Sequence, residues 1–363
     1  MRRAFIAVVV LGMIVALAIS TATATAYPGQ AAGQDNSADA NALAGNANLT
    51  GQNIDQSQSG SGTQVAGQDN SSGQAAEAGA IALQDKPSNT AVGIRVLSPG
   101  DDGNVHQSNS ADANALAGNL NLTGQNIDQS QGGTAAPVIA PVATPCGCQS
   151  GTQVAGQSNS NWQDAGALAV AAQLHPSNTA TSTNVGDGYG CGCEPSRKAP
   201  APGSGNVHQS NSVDANALAG NINLTGQNID QAAGGDYSRC GCGGSPIQVA
   251  GQSNSSQQGA FAAGLAAQLY PSNTATSTNV GGGYGCGCEH RSPVALSPGS
   301  GYVHQSNSVD ANALALNLNA TRQSIDQTAA GGAIQVAGQR AENLQGAAAL
   351  AAALQFGAAN RAT

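Results

Sequence analysis

Along most of this chain, residues of one class alternate with residues of another. From Gln107 every second position reads Gln107, Asn109, Ala111, Ala113, Ala115, Ala117, Asn119, Asn121, Thr123, Gln125, Ile127 and Gln129. From Gln157 the series is Gln157, Asn159, Asn161, Gln163, Ala165, Ala167, Ala169, Ala171 and Gln173. Both open on Gln-x-Asn, pass through small alanines and close on glutamine. Residues two apart share a face only in an extended strand, so this is the strand period. Leu116, Leu120 and Leu122 fall on the opposite face. The pattern predicts strands with one face of amides and alanines and a second face carrying larger apolar side chains.

The alternation is written in two unit types. NALAG units occupy residues 33–56, 105–129, 207–231 and 303–327, and QVAGQ units occupy 64–92, 153–185, 248–280 and 335–360. They alternate to give four composite repeats, which makes residues 27–363 a single repeat array rather than several unrelated domains. Strands longer than about ten residues are uncommon, so each unit is expected to bend. In the NALAG units the bends are expected at positions such as 117–119 and 123–125. In the QVAGQ units they are expected at "HPSN" (175–178) and "YPSN" (270–273).

Alanine-rich stretches also form helices well, and residues 345–359 read as helix when taken alone. Internal glycines and the matching glutamines of the sibling units favour strand. The last copy is the expected exception, as a helical cap. The fold class is therefore all-β: a β-solenoid-like stack of strand–turn–strand repeats with Gly/Pro/Cys-rich junction loops. In such a stack, equivalent residues lie ~4.8 Å apart on adjacent rungs and side-chain amides bond from rung to rung. The residues expected to form this ladder are Gln107, Asn109 and Gln129; Gln157, Asn159 and Gln173; Gln209, Asn211 and Gln231; Gln252, Asn254 and Gln268; and Gln305, Asn307 and Gln327.

Composition explains why such a ladder is needed. Nearly half of the 40% hydrophobic content is alanine, aromatic residues make up 3% and charged residues 9%, and glycine contributes 49 residues. Large aliphatic side chains are too few for an ordinary packed core. A net charge of −9 argues against nucleic acid, which calls for basic stripes, and against anionic membrane surfaces. Residues 1–26 read as a secretory signal peptide: Met1-Arg2-Arg3, an apolar run from Ala4 to Ser20, then the small residues Ala24-Thr25-Ala26. No later stretch is long and apolar enough to span a bilayer. The expected location is outside the cytoplasm, secreted or at the cell surface.

The Gln-x-Asn opening, the alternating small residues and the closing glutamine resemble curlin repeats, the building blocks of bacterial extracellular amyloid fibres. The chain also looks like the secreted Asn/Gln/Ala-rich repeat proteins of high-GC bacteria. The resemblance to curlin implies a fibre-forming extracellular protein. The chain departs from curlin in carrying cysteines, in its longer junctions and in alternating two unit types.

All eight cysteines come as Cys-Gly-Cys: Cys146/Cys148, Cys191/Cys193, Cys240/Cys242 and Cys286/Cys288. A secreted chain with an even count in loops implies disulfides. Bridging across one glycine strains the loop, so partners in a neighbouring junction are favoured, and an oxidising compartment favours disulfides over a thiolate zinc or copper site. His106, His208 and His304 recur before the opening glutamine and would form a column. If like units sit on alternate rungs, these histidines stand roughly 10 Å apart, too far to share a metal. Asp128, Asp230 and Asp326 recur too, without the dense Asp-Gly spacing of a calcium repeat. No cofactor is expected, and no phosphate-binding loop, nucleophile elbow or zinc-protease signature is present.

The sequons at Asn48, Asn121 and Asn223 are by-products of the repeated "NLT", and "TATST" at 179–183 and 274–278 resembles the Thr-x-Thr rows of ice-binding solenoids. The expected function is a non-enzymatic structural component of a cell surface or extracellular matrix. The alternative is a monomeric solenoid that binds through one face, as an adhesin or ice-binding protein. Neither end carries a distinct polar cap, so self-association is the expected partnership.

Overall fold

The computed structural model describes residues 13–18, 21–26, 32–59, 62–96, 104–132, 151–187, 206–234, 245–282, 302–329 and 333–363. These form strands, joined in places by two-residue corners, with no helix among the described residues. The NALAG units form β3 (Ala32–Ser59), β6 (Val105–Gly132), β9 (Val207–Gly234) and β12 (Val303–Ala329). Each QVAGQ unit forms a long strand, a corner and a short strand. These pairs are β4 (Thr63–Asp85) and β5 (Ser88–Val96), β7 (Thr152–Leu174) and β8 (Ser177–Asp187), β10 (Ile247–Leu269) and β11 (Ser272–Gly282), and β13 (Ile334–Phe356) and β14 (Ala359–Ala362). Two short strands, β1 (Met13–Ala18) and β2 (Thr21–Ala26), precede them.

All pairing is parallel, and among the repeat units it joins like with like. One sheet runs β12-β9-β6-β3, a second β1-β4-β7-β10-β13 and a third β14-β11-β8-β5-β2. Gln107 stands against Gln34 on one side and Gln209 on the other, and Gln157 stands against Gln68 and Gln252. A whole composite repeat is therefore one rung: its NALAG strand lies in one layer and its QVAGQ strands in the layer opposite. Like units therefore occupy adjacent rungs, and the alternate-rung arrangement behind the ~10 Å histidine spacing does not occur. Pairing unlike units would set glutamines against alanines, whereas pairing like units keeps every inward amide above its own kind.

The two layers meet on alanine. Ala111, Ala113, Ala115 and Ala117 of β6 pack in one cluster with Ala165, Ala167, Ala169 and Ala171 of β7, together with their counterparts in the other rungs. At one end of the layer Ile127 and Ile229 pack on Ala155 and Ala250, and at the other Val105 and Val207 pack on Ala180 and Ala275. Facing strands thus run in opposite directions, and methyl groups let the layers approach closely. At Gly264 the approach is closer still, since an added Cβ would lie 2.5 Å from the Asn312 carbonyl oxygen. Alanine would clash with backbone there.

The proline corners lie where the sequence places them, after β4, β7 and β10. Lys86, His175 and Tyr270 sit in the left-handed region at φ 51°, 51° and 53°, and Gly357 takes the same position in the last rung at 68°. The rings of His175 and Tyr270 stack at 5.3 Å, and Phe356 meets Tyr270 edge-on at 5.3 Å. These contacts run along the corner column and oppose the steric cost of a left-handed side chain. The bends expected at 117–119 and 123–125 do not occur, and β6 is one strand of 28 residues. Paired strands on both sides give it a hydrogen-bonding partner along its whole length. The last QVAGQ unit is strand rather than helix: β13 pairs with β10 from Ile334↔Ile247 to Phe356↔Leu269, because the open edge of β10 supplies a backbone partner at every position.

The stretch that reads as a signal peptide continues the register. β1 pairs with β4 from Met13↔Gly79 to Ala18↔Gln84, and β2 pairs with β5 from Thr21↔Ser88 to Ala26↔Gly93.

Candidate functional site: amide ladders and surface columns

Because every strand pairs in register, each side chain becomes one member of a column. Gln107 donates from Nε2 to Gln34 Oε1 at 2.9 Å, Gln209 to Gln107 at 2.9 Å and Gln305 to Gln209 at 2.8 Å. Gln129, Gln231 and Gln327 repeat this at the strand end, donating to Gln56, Gln129 and Gln231 at 2.8, 2.8 and 2.7 Å. In the opposite layer Gln157 donates to Gln68 at 3.2 Å and Gln252 to Gln157 at 3.1 Å, while Gln173 and Gln268 donate to Gln84 and Gln173 at 2.7 and 2.9 Å. Every one of these glutamine donors points toward the first rung. The inward asparagines run the other way. Asn109 donates to Asn211 and Asn211 to Asn307, both at 2.9 Å, and Asn159 donates to Asn254 at 2.8 Å.

Many of the same amides also bind the facing layer. Gln129 donates to the Val154 carbonyl at 3.1 Å and Gln157 to the Asn228 carbonyl at 2.9 Å. The columns thus join rungs and layers at once. This is how polar residues such as Gln107, Gln173 and Asn211, all at 0–1% exposure, are accommodated in a core with few large aliphatics.

Further columns are not evident from the sequence pattern. Asn178 donates to Asn273 at 3.0 Å and to Asn211 at 3.1 Å, crossing from one layer to the other. Those asparagines lie in the Pro-Ser-Asn segments, which read as turn. Gln163 donates to Gln74 and Gln258 to Gln163, both at 2.7 Å. The period-two series contains Gln163, so its phase is the available signal. Asn121 and Asn223, the sequon positions, are 0% exposed and bonded to each other at 2.8 Å. Folded chains therefore offer these asparagines to no glycosylating enzyme.

Outside, the columns have a different chemistry. Leu43, Leu116, Leu218 and Leu314 are in register and exposed, and Leu120, Ile222 and Leu318 form a second exposed column beside them. Asp39, Asp112, Asp214 and Asp310 stack directly. Burial, followed by the like charges of Asp214 and Asp39, pushes Asp112 up to about 6, and its Oδ1 has no hydrogen-bond partner. Asp214 is raised as well, by burial and then by Asp310. Asp128, Asp230 and Asp326 form another column, in register with Asp55.

The histidines stand closer than alternate rungs allow. Ring centroids are 6.2 Å apart for His106–His208 and 5.0 Å for His208–His304, because like units occupy adjacent rungs. Among the described residues, no group of three or more His, Cys, Asp or Glu is placed to hold a metal ion. Cys146, Cys148, Cys191, Cys193, Cys240, Cys242, Cys286 and Cys288 lie outside the described residues. No described helix is long and apolar enough to cross a membrane.

At the two ends of the stack, columns stop. Gln34 Nε2, Gln84 Nε2 and Asn319 Nδ2 are buried without a hydrogen-bond partner among the described residues. Among the described residues β3 and β12 each pair on one side only. No protein-family model matches the chain, and neither a curated protein nor a solved structure does.

Proposed function

We propose that this protein is a secreted, non-enzymatic structural component of a cell surface or extracellular matrix, built to associate with copies of itself into fibres. The observation that carries this reading is the in-register pairing of like strands, in which each rung templates the next through backbone and amide ladders together. A rod of this kind gains stability by adding rungs. The resemblance of the units to curlin repeats supports the same role. Its location outside the cytoplasm rests on the basic-apolar-small pattern of residues 1–26.

A monomeric binding role has one observation in its favour. Thr179, Thr181 and Thr183 of β8 stand in register with Thr274, Thr276 and Thr278 of β11, giving a small ordered threonine array. The array is two rungs wide, since β5 places Val92 and Ile94 against Thr181 and Thr183. Electron microscopy and sedimentation of the chain freed of residues 1–26 separate the two readings. Fibres or high oligomers at micromolar concentration are expected. A clean monomer at high concentration and at pH near the isoelectric point of 4.7 would favour the binding role.

A further inference from the structure

The two ends of the stack are complementary to each other. In each inner rung, the column glutamines donate to the rung before. Gln34 and Gln84 have no rung before them in their amide columns, and their Nε2 atoms are buried and unpaired. At the far end, Gln305 and Gln355 donate to Gln209 and Gln268, at 2.8 and 2.7 Å. Their Oε1 atoms therefore stand where every earlier rung accepts a bond from the rung after it. The asparagines match in the reverse sense. Asn48, Asn121 and Asn223 each donate to the next rung, at 3.0, 2.8 and 2.9 Å, and Asn319 Nδ2 has no next rung to donate to. The last rung of one copy thus holds the acceptors that the first rung of another needs, and a donor for its Asn48 Oδ1.

The first-rung edge is already partly occupied. β1 lies along Gly79–Gln84 of β4, and β2 along Ser88–Gly93 of β5. The occupant is a poor mimic of a rung. It covers six positions of β4, against the 23 over which β13 pairs with β10. It also sets Ala18, which has no amide, in register with Gln84, whose donor stays unpaired.

We infer that the first rung is the docking surface for the last rung of a second copy, in register and head to tail, and that residues 13–26 hold this surface closed until they are removed. Such a contact is heterologous and does not close on itself, so it builds a linear polymer. Growth is polar: each added copy presents the same free end. The leader covers the edge that would otherwise pair during synthesis and export, which is how edge strands are commonly protected. This inference rests on the fibre reading above.

The test uses the full chain with a protease site placed between Ala26 and Tyr27, followed by light scattering and electron microscopy. The uncut chain is expected to stay unassembled, and cutting is expected to start fibre growth. Uncut chain added in substoichiometric amounts to cut chain should shorten the fibres, because its last rung docks while its own first rung is closed. Paired prolines in the leader (Val15→Pro with Ala16→Pro, and Thr23→Pro with Ala24→Pro) remove its backbone donors and should let the uncut chain assemble. Uncut and cut chains assembling at the same rate would overturn this inference and leave the fibre reading standing. So would a proline variant that stays blocked. Assembly in neither state would overturn both.

Discussion

Replacing Gln173 by methionine tests whether the amide columns carry the core. Gln173 is fully buried, donates to Gln84 Oε1 at 2.7 Å and accepts from Gln268 Nε2 at 2.9 Å. Both partners are also 0% exposed, and Gln84 already has an unpaired Nε2. The apolar replacement strands one acceptor and one donor that water cannot reach, each costing ~1–3 kcal/mol. Burial of the methionine offsets part of this, leaving a net loss of about 3 kcal/mol. Asn109→Leu is the matched control. Asn109 is equally buried, but its neighbours sit in a branched network: Asn36 also donates to Asn89 at 2.8 Å, and Asn89 to Asn178 at 3.0 Å. Each keeps a partner, so the expected cost is about 1 kcal/mol. Guanidinium unfolding followed by circular dichroism gives the two values. Hydrogen exchange should place the Gln173→Met loss in β4, β7 and β10. Equal costs for the two substitutions would refute the reasoning, as would a loss below ~1 kcal/mol for Gln173→Met.

Two other outcomes follow from the columns and a third from the cysteine spacing. Asp112 binds its proton more tightly folded than unfolded, because burial and the charges of Asp214 and Asp39 raise it to about 6. The stability it contributes is complete below the ordinary carboxylate value of about 4 and is lost as pH rises through about 6. Asp112→Asn should therefore raise the unfolding midpoint at pH 7 and leave it little changed at pH 4, read by thermal melts at both. Asn223→Asp puts a carboxylate at a 0% exposed position and removes the bonds to Asn319 and Ser256, both 2.9 Å, so it should cost several kcal/mol at pH 7. A denaturation midpoint unchanged from the parent would contradict the column. Thiol titration of the chain purified without reductant should find no free cysteines, and eight free thiols or tightly bound metal would exclude inter-junction disulfides.

The phase of each strand is legible in the sequence because side chains at positions two apart cannot avoid sharing a face. Period two alone puts Gln107, Asn109 and Gln129 on one face and Leu116 on the other. Which strands pair is harder to read. The alternation of NALAG and QVAGQ units along the chain looks like an alternation of rungs, and only the mutual fit of their alanine runs shows that they face one another. Asn178 and Asn273 read as turn residues because they follow proline. The turn is complete by Pro176 and Pro271, and both asparagines already belong to strands. Strand length is not legible either, because the usual lengths are those of globular proteins, whereas in-register repeats pair β6 on both edges over its whole length. The end-to-end match of donors and acceptors leaves no trace in the sequence, since amide orientation is decided by the whole column.

The distance along the chain between equivalent residues varies from rung to rung. Gln34 and Gln107 are 73 residues apart, Gln107 and Gln209 are 102, and Gln209 and Gln305 are 96, yet all three pairs bond in the same geometry. The ladder is thus insensitive to how much chain lies between one rung and the next. The entropy of closing a chain segment grows slowly with its length, each doubling costing only about 0.6 kcal/mol. A duplication that adds a composite repeat lengthens the rod, and an insertion between β6 and β7, or between β8 and β9, leaves its cross-section untouched. The architecture therefore separates two kinds of genetic change, one that alters the number of rungs and one that alters the chain between them. Each can vary without the other.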